Sequence, residues 1–571
     1  MLFRKLTVIV VALFSISAFA NQIDASFGHY KPQQRFTDFV SSSFYLEMRD
    51  GVKIAVNVER PAENGQAVEG QFPVIWHHSL SASRSERDGT GGSTSAFNQM
   101  PNLAKFGYVV VQVARRGNGQ SFGVRRGYHD RNEAQDAYEI TQWLAKQPWS
   151  DGNVGMYGCS NTGDAALHAM TVQPPALKAV FAGCFSWHKF DAFRRGGIFA
   201  QWGTGAMRTI EDDMKIQPLD GDEDKILLRQ AAEEHQLSTP LLAMWKSLPF
   251  RDSHAPLVGS RFWSEGSGAS YLEQLQRSGI PLYVLGGWHD ELRDQGMITF
   301  LNVPNTRVVM GPWQHCVNGD FPLFEEIHRF FDYHLKGLQT GIKEQPKIHY
   351  FTMQGADTGV WQTSEQWPLA NQSDNVFYLA DNRLQTKVGK NQQRHFITKE
   401  EKTCQLQGPF SQPCSEHGAG LSYAADKLQK PLVVSGHPVV DVWIDSSTDD
   451  ANIFAYLEDI DPNGKVTVVT EGRLKASMRK EATAPWKMPK GVPWHRSYAD
   501  DSQPLQANEV VNLRFDMLPT SWTFKPGHRI QIAISGSDYR ERLREFPEQP
   551  QKIRIYTGEK YRSHVVLPVE Q

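Results

Sequence analysis

A serine stands at an abrupt change of pattern in the segment GCSNTG, residues 158–163. The apolar run 154–157 before it is typical of a buried strand, and the alanine-rich run 165–170 after it favours a helix. A strand–turn–helix with Ser160 at its tip would lift the hydroxyl clear of a sheet, and the backbone N–H of Asn161 could then face an oxyanion. Such a turn permits nucleophilic attack on a carbonyl carbon. The alternative is an ordinary strand–helix turn.

A serine hydroxyl reacts only with a general base beside it and an acid that orients the base. Asp290 follows the apolar run PLYVLGG, and His315 follows the apolar run TRVVMG. Polar groups just beyond the carboxyl ends of parallel strands gather at one edge of a sheet. The chain order Ser160, Asp290, His315 is also the order that this type of turn requires. We therefore predict that these three residues act as nucleophile, acid and base.

The elements that must position these residues alternate between short apolar runs and helical patterns. This alternation is typical of an α/β fold with a mostly parallel sheet. Amphipathic helices are predicted over 132–146 and 322–338, and a hairpin is predicted over 44–60 around Asp50 and Gly51. The apolar runs are 73–78, 108–114, 153–159, 177–184, 281–287 and 306–311.

The chain divides into parts with different patterns. The interval between Cys184 and Pro281 is too long for one crossover and contains helical patterns, which indicates an inserted helical cap. From residue 345 onward, alternating strands separated by turn residues predict an all-β sandwich of the jelly-roll type. The predicted parts are a signal peptide (1–20), an α/β domain (21–190 and 276–344), the cap (191–275) and the jelly roll (345–571).

The N-terminus has the pattern of a signal peptide. Arg4 and Lys5 precede an apolar stretch, and the small-residue motif AFA ends at Ala20. We expect cleavage and export to the periplasm or the medium, with no membrane attachment afterwards; the alternative is an N-terminal anchor. The net charge of −3 does not favour nucleic acid as a partner. The oligomeric state is left open.

Export would place the five cysteines in an oxidising compartment. Cys404 and Cys414 flank a loop that contains Gly and Pro, and they are predicted to form a local disulfide. One further pair is possible among Cys159, Cys184 and Cys316, and the sequence does not identify it. No C-x-x-C spacing occurs, so no metal site is expected.

Five segments together resemble the cocaine esterase / X-prolyl dipeptidyl-peptidase (CocE/NonD) family of serine hydrolases, which includes α-amino acid ester hydrolases and glutaryl-cephalosporin acylases. The resemblance runs from about Asp50 to the C-terminus. The segments are WSDGNVGMYGCSNTG, GGWHD, VVMGPWQH, FFDYHLKG and FKPGHRIQI. It implies an α/β-hydrolase domain with an inserted helical cap and a C-terminal jelly roll. It also implies the catalytic roles predicted above, a small ester, amide or short-peptide substrate, and no cofactor. The alternative is a catalytically weak protein that binds peptide or glycan through the jelly roll.

Two departures from the family concern the oxyanion. Asn161 stands where the family has Tyr, and the loop after the run 73–78 lacks the Tyr whose hydroxyl is the other donor. Ser81 aligns roughly with that position, but its hydroxyl reaches less far than a phenol. We therefore expect the second donor to be His78 or a backbone N–H near Leu80, and we expect His78→Ala to slow acylation more than Ser81→Ala.

Three residues are candidates for substrate contact. Family members that require a free α-amino group hold it with carboxylates, and Glu291 and Asp191 could take this role, with Trp288 as a wall beside the acid. Arg293 interrupts the carboxylate cluster, so we expect no strict requirement for a free amine. The arginines between the second strand run and the first helix are expected to form a solvated loop face rather than an anion site. They are Arg115, Arg116, Arg125 and Arg126.

Overall fold

The computed structural model describes residues 27–83, 96–199, 207–355, 358–398, 404–406, 420–540 and 549–571. None of the helices in these ranges is long and apolar enough to cross a membrane. The predicted signal peptide lies outside the described residues, as does Cys414.

One mixed sheet forms the centre of the first domain, and its strand order is β1-β2-β5-β4-β6-β7-β8-β9-β10. The strands from β5 to β10 in this order are parallel, and β2 runs antiparallel to both β1 and β5. All six predicted apolar runs and the predicted hairpin are confirmed. The bounds are β1 Asp38–Glu47, β2 Lys53–Glu63, β3 Gln66–Ala67, β4 Phe72–Ser79, β5 Val109–Ala114, β6 Ser150–Cys159, β7 Leu177–Gly183, β8 Leu282–Gly287, β9 Thr306–Gly311 and β10 Ile348–Met353.

The two helices predicted over 132–146 and 322–338 are confirmed, and so is the inserted helical cap. Helix α1 begins after Asp130, whose carboxylate accepts from the Glu133 N–H, and α10 ends at Gly337 in the left-handed region. Helices α3 to α8 lie between β7 and β8 and form the cap. The bounds are α1 Arg131–Ala145, α2 Asn161–Met170, α3 Lys189–Phe193, α4 Ile210–Asp213, α5 Ile226–His235, α6 Leu241–Ser247, α7 Phe262–Glu265, α8 Leu272–Ser278, α9 Arg293–Asn302 and α10 Leu323–Lys336.

The C-terminal part is the predicted all-β domain. Its strands pair mostly antiparallel, and two of the runs of paired strands are β20-β19-β23-β16 and β14-β25-β18-β21. The bounds are β11 Gly359–Ser364, β12 Gln372–Ala380, β13 Arg383–Gln385, β14 Gln392–Ile397, β15 Cys404–Leu406, β16 Gly420–Ala424, β17 Leu432–Gly436, β18 Val439–Ser446, β19 Asn452–Ile460, β20 Val466–Lys475, β21 Val511–Asp516, β22 Thr520–Phe524, β23 Arg529–Ser535, β24 Asp538–Arg540, β25 Lys552–Thr557 and β26 His564–Glu570.

The strand β10 follows residue 345, where the predicted jelly roll begins, but it pairs with a strand of the first sheet. It pairs in parallel with β9 and antiparallel with β11, so it extends the sheet of the first domain. It also touches β22 of the all-β domain through one parallel pair. Backbone pairing therefore joins the two domains, because an edge strand offers unpaired N–H and C=O groups to any neighbouring strand.

Candidate active site

The strand-to-helix turn at Ser160 has the geometry that the sequence predicts. Ser160 has φ 60° and ψ −129°, a region that is costly for a residue with a side chain. A Cβ on Gly158 would clash with the carbonyl of Thr162, and a Cβ on Gly163 would lie 2.7 Å from the Gly183 oxygen. These two glycines allow α2 to cross β6 and β7 closely, which holds Ser160 at the tip of the turn.

Thr162 stands where the common form of this turn has its second glycine. Its hydroxyl donates to the Cys159 carbonyl at 2.7 Å and accepts from the Cys159 N–H at 2.8 Å. One side chain thus satisfies both backbone polar groups of the residue before Ser160. The turn is therefore kept without the second glycine, because the Thr162 hydroxyl stabilises it through these two hydrogen bonds.

Asp290 and His315 form a hydrogen-bonded pair beyond the ends of β8 and β9. Nδ1 of His315 lies 3.0 Å from Oδ1 of Asp290, and it carries the proton because a carboxylate can only accept. Burial opposes ionisation of Asp290. The facing His315, the Cys184 thiol and the Leu292 N–H outweigh this effect and lower the pKa of Asp290. Asp290 therefore stays a carboxylate that fixes the tautomer of the imidazole.

The loops that carry these two residues are bonded to each other. The His289 N–H donates to the Trp313 carbonyl at 2.9 Å. A Cβ on Gly287 would clash with that same carbonyl, so a glycine is required where the two loops meet. Backbone contacts thus bring the acid and the histidine together independently of their side chains.

A disulfide joins the neighbours of Ser160 and His315. Cys159 and Cys316 are bonded, with Cα atoms 5.9 Å apart, across a sequence separation of 157 residues. This is the pair that the sequence left open. Cys184 keeps a thiol, which burial and the nearby Asp290 charge hold protonated by raising its pKa. Because the side chain of Cys404 and all of Cys414 lie outside the described part, their pairing stays a prediction.

Two groups of side chains here have donor atoms close enough for a metal ion. Both include Cys184, once with Cys159 and Cys316 and once with Asp290 and His315. In the first group two sulfurs are already bonded to each other, and in the second the carboxylate is bonded to the imidazole. These donor atoms are committed to contacts within the protein, which favours acid–base chemistry over metal binding.

A cavity of about 350 Å³ lies beside the turn, and its lining includes Asn161, Leu80 and Ser81. Asn161 is the first residue of α2, where a backbone N–H has no acceptor within the helix. Neither its N–H nor that of Leu80 has an acceptor among the described residues, whereas the Ser81 N–H donates to the Ser79 hydroxyl at 2.9 Å. His78 is 1% exposed and is not part of this lining. The structure therefore favours the backbone alternative over His78.

Two of the three candidates for substrate contact are bonded to other parts of the protein. Asp191 is bonded to Arg251 at 2.6 Å, so its charge is already neutralised. Trp288 is fully buried, and its indole N–H donates to the Phe351 carbonyl at 2.7 Å. The structure does not support a substrate contact for either residue. Sequence reasoning missed both partners because they come from distant segments.

Glu291 is the carboxylate that remains beside the acid. It is half-buried, and its Oε2 has no hydrogen-bond partner in the described ranges. Arg293, which interrupts the cluster in sequence, instead turns to the all-β domain and donates to the Pro519 carbonyl and the Thr470 hydroxyl. Glu291 therefore keeps its place as a candidate for contact with a substrate.

The expectation of a solvated arginine face is wrong for Arg115, Arg116 and Arg125, which are buried, whereas Arg126 is exposed. Arg115 is fully buried; it forms an ion pair with Glu133 at 2.9 Å and donates to the side-chain oxygen of Asn161 at 3.1 Å. Arg116 is paired with Asp136 at 2.6 Å. The missed signal is that both acids lie on α1 three residues apart, on the face that the helix buries.

Comparison with known proteins identifies the family of both domains. Residues 50–317 match the X-Pro dipeptidyl-peptidase (S15 family), and residues 340–566 match the X-Pro dipeptidyl-peptidase C-terminal non-catalytic domain. A Mycobacterium bovis protein that carries the name of a serine esterase is 30% identical over 94% of this chain and 96% of its own. The cocaine esterase of a Rhodococcus strain is 25% identical over 93% of this chain and 98% of its own.

A solved structure shows the same fold. It is a CocE/NonD family hydrolase from Staphylococcus aureus, with a TM-score of 0.75, 21% identity and 95% of both chains covered. The sequence matches, which span the sheet, the cap and the all-β domain, go beyond fold likeness. The chain therefore belongs to the X-Pro dipeptidyl-peptidase S15 family, together with the cocaine-esterase-like hydrolases, and is a serine hydrolase.

Proposed function

We propose that this chain hydrolyses acyl esters or amides through a triad of Ser160, His315 and Asp290. The observation that carries the proposal is the 3.0 Å hydrogen bond between Asp290 and His315. The disulfide between Cys159 and Cys316, which stand beside Ser160 and His315, supports placing Ser160 with this pair. A nucleophile, a base and an orienting acid at the ends of three parallel strands make up the full set that acyl transfer needs.

The proposed reaction has two halves. Ser160 Oγ attacks the substrate carbonyl carbon, and His315 Nε2 takes the hydroxyl proton. The tetrahedral intermediate then expels the alcohol or amine, which receives that proton, and leaves an acyl group on Ser160. Water attacks this ester with His315 again as the base, and the acid is released. Asp290 stays ionised and stabilises the imidazolium in both halves.

Two backbone amides are the proposed oxyanion donors. The N–H of Asn161 lies at the start of α2, and the N–H of Leu80 follows the last residue of β4. Both residues line the same cavity, and neither N–H has an acceptor in the described ranges. Preorganised donors of this kind stabilise the charge that develops on the carbonyl oxygen.

Ester substrates and export complete the proposal. The relatives at 30% and 25% identity are named as esterases, which supports ester cleavage, and more distant relatives carry the name Xaa-Pro dipeptidyl-peptidase. The carboxylate of Asp191 is bonded to Arg251, which supports the absence of a strict requirement for a free α-amino group. The pattern of residues 1–20 and the disulfide support an oxidising compartment such as the periplasm or the medium.

The test combines labelling with kinetics. A fluorophosphonate probe should label the wild type but not Ser160→Ala, and Ser160→Ala, His315→Ala and Asp290→Asn should each lower kcat on p-nitrophenyl acetate by at least ~10³. Ser270→Ala, an exposed serine of the cap, is the matched control and should behave like wild type. Labelling or turnover that survives in Ser160→Ala would show that another residue is the nucleophile.

A further inference from the structure

Arg125 and Asn161 line the same cavity, and the charge of Arg125 has no partner among the described residues. The residue is 9% exposed, and its buried Nε has no hydrogen-bond partner in the described ranges. In the part of the chain that the structure describes, its guanidinium makes neither an ion pair nor a hydrogen bond. Only its backbone is bonded, with its N–H donating to the Ser238 hydroxyl and its carbonyl accepting from Thr239.

The neighbouring acids are engaged elsewhere. Asp213, the carboxylate of the cavity lining, accepts from Arg208 at 2.6 Å and from His235 at 2.8 Å. Glu133 is the acid with the strongest electrostatic effect on Arg125, but it is hydrogen-bonded to Arg115. Burial lowers the pKa of Arg125, and Glu133 only partly opposes this effect. The described part of the chain therefore holds a desolvated cation at the cavity wall without neutralising it.

An unpaired buried charge is costly, so it marks a position where a ligand of opposite charge gains most. A guanidinium is planar and binds a carboxylate through two parallel hydrogen bonds, which are stronger than neutral ones. The cavity of about 350 Å³ has room for a short acyl or alkyl chain between this group and the turn.

We propose that Arg125 binds a carboxylate of the substrate, so that this hydrolase prefers substrates with an anionic group apart from the scissile bond. The proposal rests on the function proposed above, because the carboxylate is placed relative to Asn161 and hence to Ser160. It assigns Arg125 a role in specificity and no role in bond cleavage.

The first measurement compares kcat/KM for two matched pairs of substrates near pH 7.5. In one pair, the p-nitrophenyl half-ester of adipic acid has a free carboxylate on the acyl side, and its methyl-capped diester lacks that charge. In the other pair, 4-acetoxybenzoate has a carboxylate on the leaving group, and its methyl ester lacks that charge. We expect the anionic member of at least one pair to be preferred by about tenfold or more, and the preferred pair locates the carboxylate.

The second measurement repeats the comparison with variants. Arg125→Met should bring the preference to about one and leave kcat/KM for the neutral ester within about threefold, since only the bound charge is lost. Arg125→Lys should retain part of the preference. The matched control is Arg126→Met, which removes the adjacent arginine; that side chain is exposed and donates to the Val258 carbonyl at 2.5 Å. It should keep the wild-type preference.

Each outcome has one meaning. A wild-type preference below about twofold in both pairs overturns the proposal, whether or not the variants fold. A loss of activity on anionic and neutral esters alike in Arg125→Met and Arg125→Lys, with a lower unfolding midpoint, shows a structural role and also overturns it. The failure of the proposed function is distinct: the wild type would then hydrolyse neither member of either pair and would not react with the fluorophosphonate probe.

Discussion

Ser81 and His78 lie within four residues of each other but in different surroundings. Ser81 is exposed and lines the cavity, whereas the imidazole of His78 is buried and its Nε2 has no hydrogen-bond partner among the described residues. Burial and the charge of Arg115 lower the pKa of His78 well below its usual value, so the ring is neutral. At the scale of single residues, these surroundings support the proposal that backbone N–H groups bind the oxyanion.

A proline at position 80 tests this assignment. Leu80→Pro removes the proposed N–H donor and should lower kcat about 10²- to 10³-fold, as the loss of one oxyanion donor does elsewhere. Ser79 ends β4, and an extended conformation is the one that a residue before proline prefers. Steady-state kinetics on p-nitrophenyl acetate measures the effect.

Three variants serve as its controls. Leu80→Ala keeps the N–H and should stay within about threefold of wild type, and so should Ser81→Ala and His78→Ala if neither side chain donates. A loss of about 10² or more in Ser81→Ala alone would assign the second donor to that hydroxyl instead. The unfolding midpoints of all four variants separate misfolding from lost catalysis.

At the scale of elements, the turn after β6 and the loop after β9 are held to each other by one covalent bond. Cys159 and Cys316 stand directly beside Ser160 and His315, so the bond limits how far the proposed nucleophile and base can separate. A displacement of about 1 Å in such a pair can cost about 10²-fold in rate. The disulfide is thus expected to serve both stability and catalysis.

Removing both sulfurs tests this double role. The variant Cys159→Ser with Cys316→Ser should lose about 2–5 kcal/mol of the free energy of unfolding, because a long loop is no longer closed in the unfolded chain. Its kcat should fall about tenfold to 10²-fold. Urea denaturation and p-nitrophenyl acetate kinetics give the two values. Cys184→Ser, which keeps the disulfide, is the control, and equal kcat in the double variant and wild type would exclude the positioning role.

At the scale of the whole molecule, the cap and the all-β domain meet at His188. Its Nδ1 accepts from the Phe190 N–H at the start of α3, and its ring packs 5.6 Å from that of Trp486 in the all-β part. Burial, with the charge of Arg251, lowers the pKa of His188 to about 3, although Asp191 opposes this effect. The folded protein therefore keeps this ring neutral.

The pH dependence of stability follows from that neutrality. In the unfolded chain His188 takes up a proton below about pH 6.5, and the folded protein does so only near pH 3. The contribution of the neutral His188 ring to the free energy of unfolding is complete above about pH 6.5. It is lost as the pH falls towards 3, by up to about 1.4 kcal/mol per pH unit. The free energy of unfolding of His188→Gln should therefore fall less steeply than that of wild type between pH 6 and 4. Parallel curves would contradict the assignment.

Local sequence patterns were sufficient to predict many of the strands and helices of this protein. The strands β4 to β9, the helices α1 and α10 and the place of the cap follow from hydrophobic periodicity and turn signals, which act over a few residues. The same signals place Ser160, Asp290 and His315 just after strand ends, in the required order. Residues at the ends of parallel strands meet whatever lies between them in the chain, so the candidate site could be predicted without coordinates.

Only the tertiary structure decided which distant groups meet. The partner of Cys159 lies 157 residues away, and the partner of Asp191 is Arg251. Likewise β10 pairs with β9 at the edge of the first sheet. Among the residues that the structure describes, Arg125 has no charged partner, because the nearby acids bond to other groups. Such contacts depend on how separate segments pack. No local pattern encodes them, since the cost or gain of burying a charge exists only once the surrounding chain has closed over it.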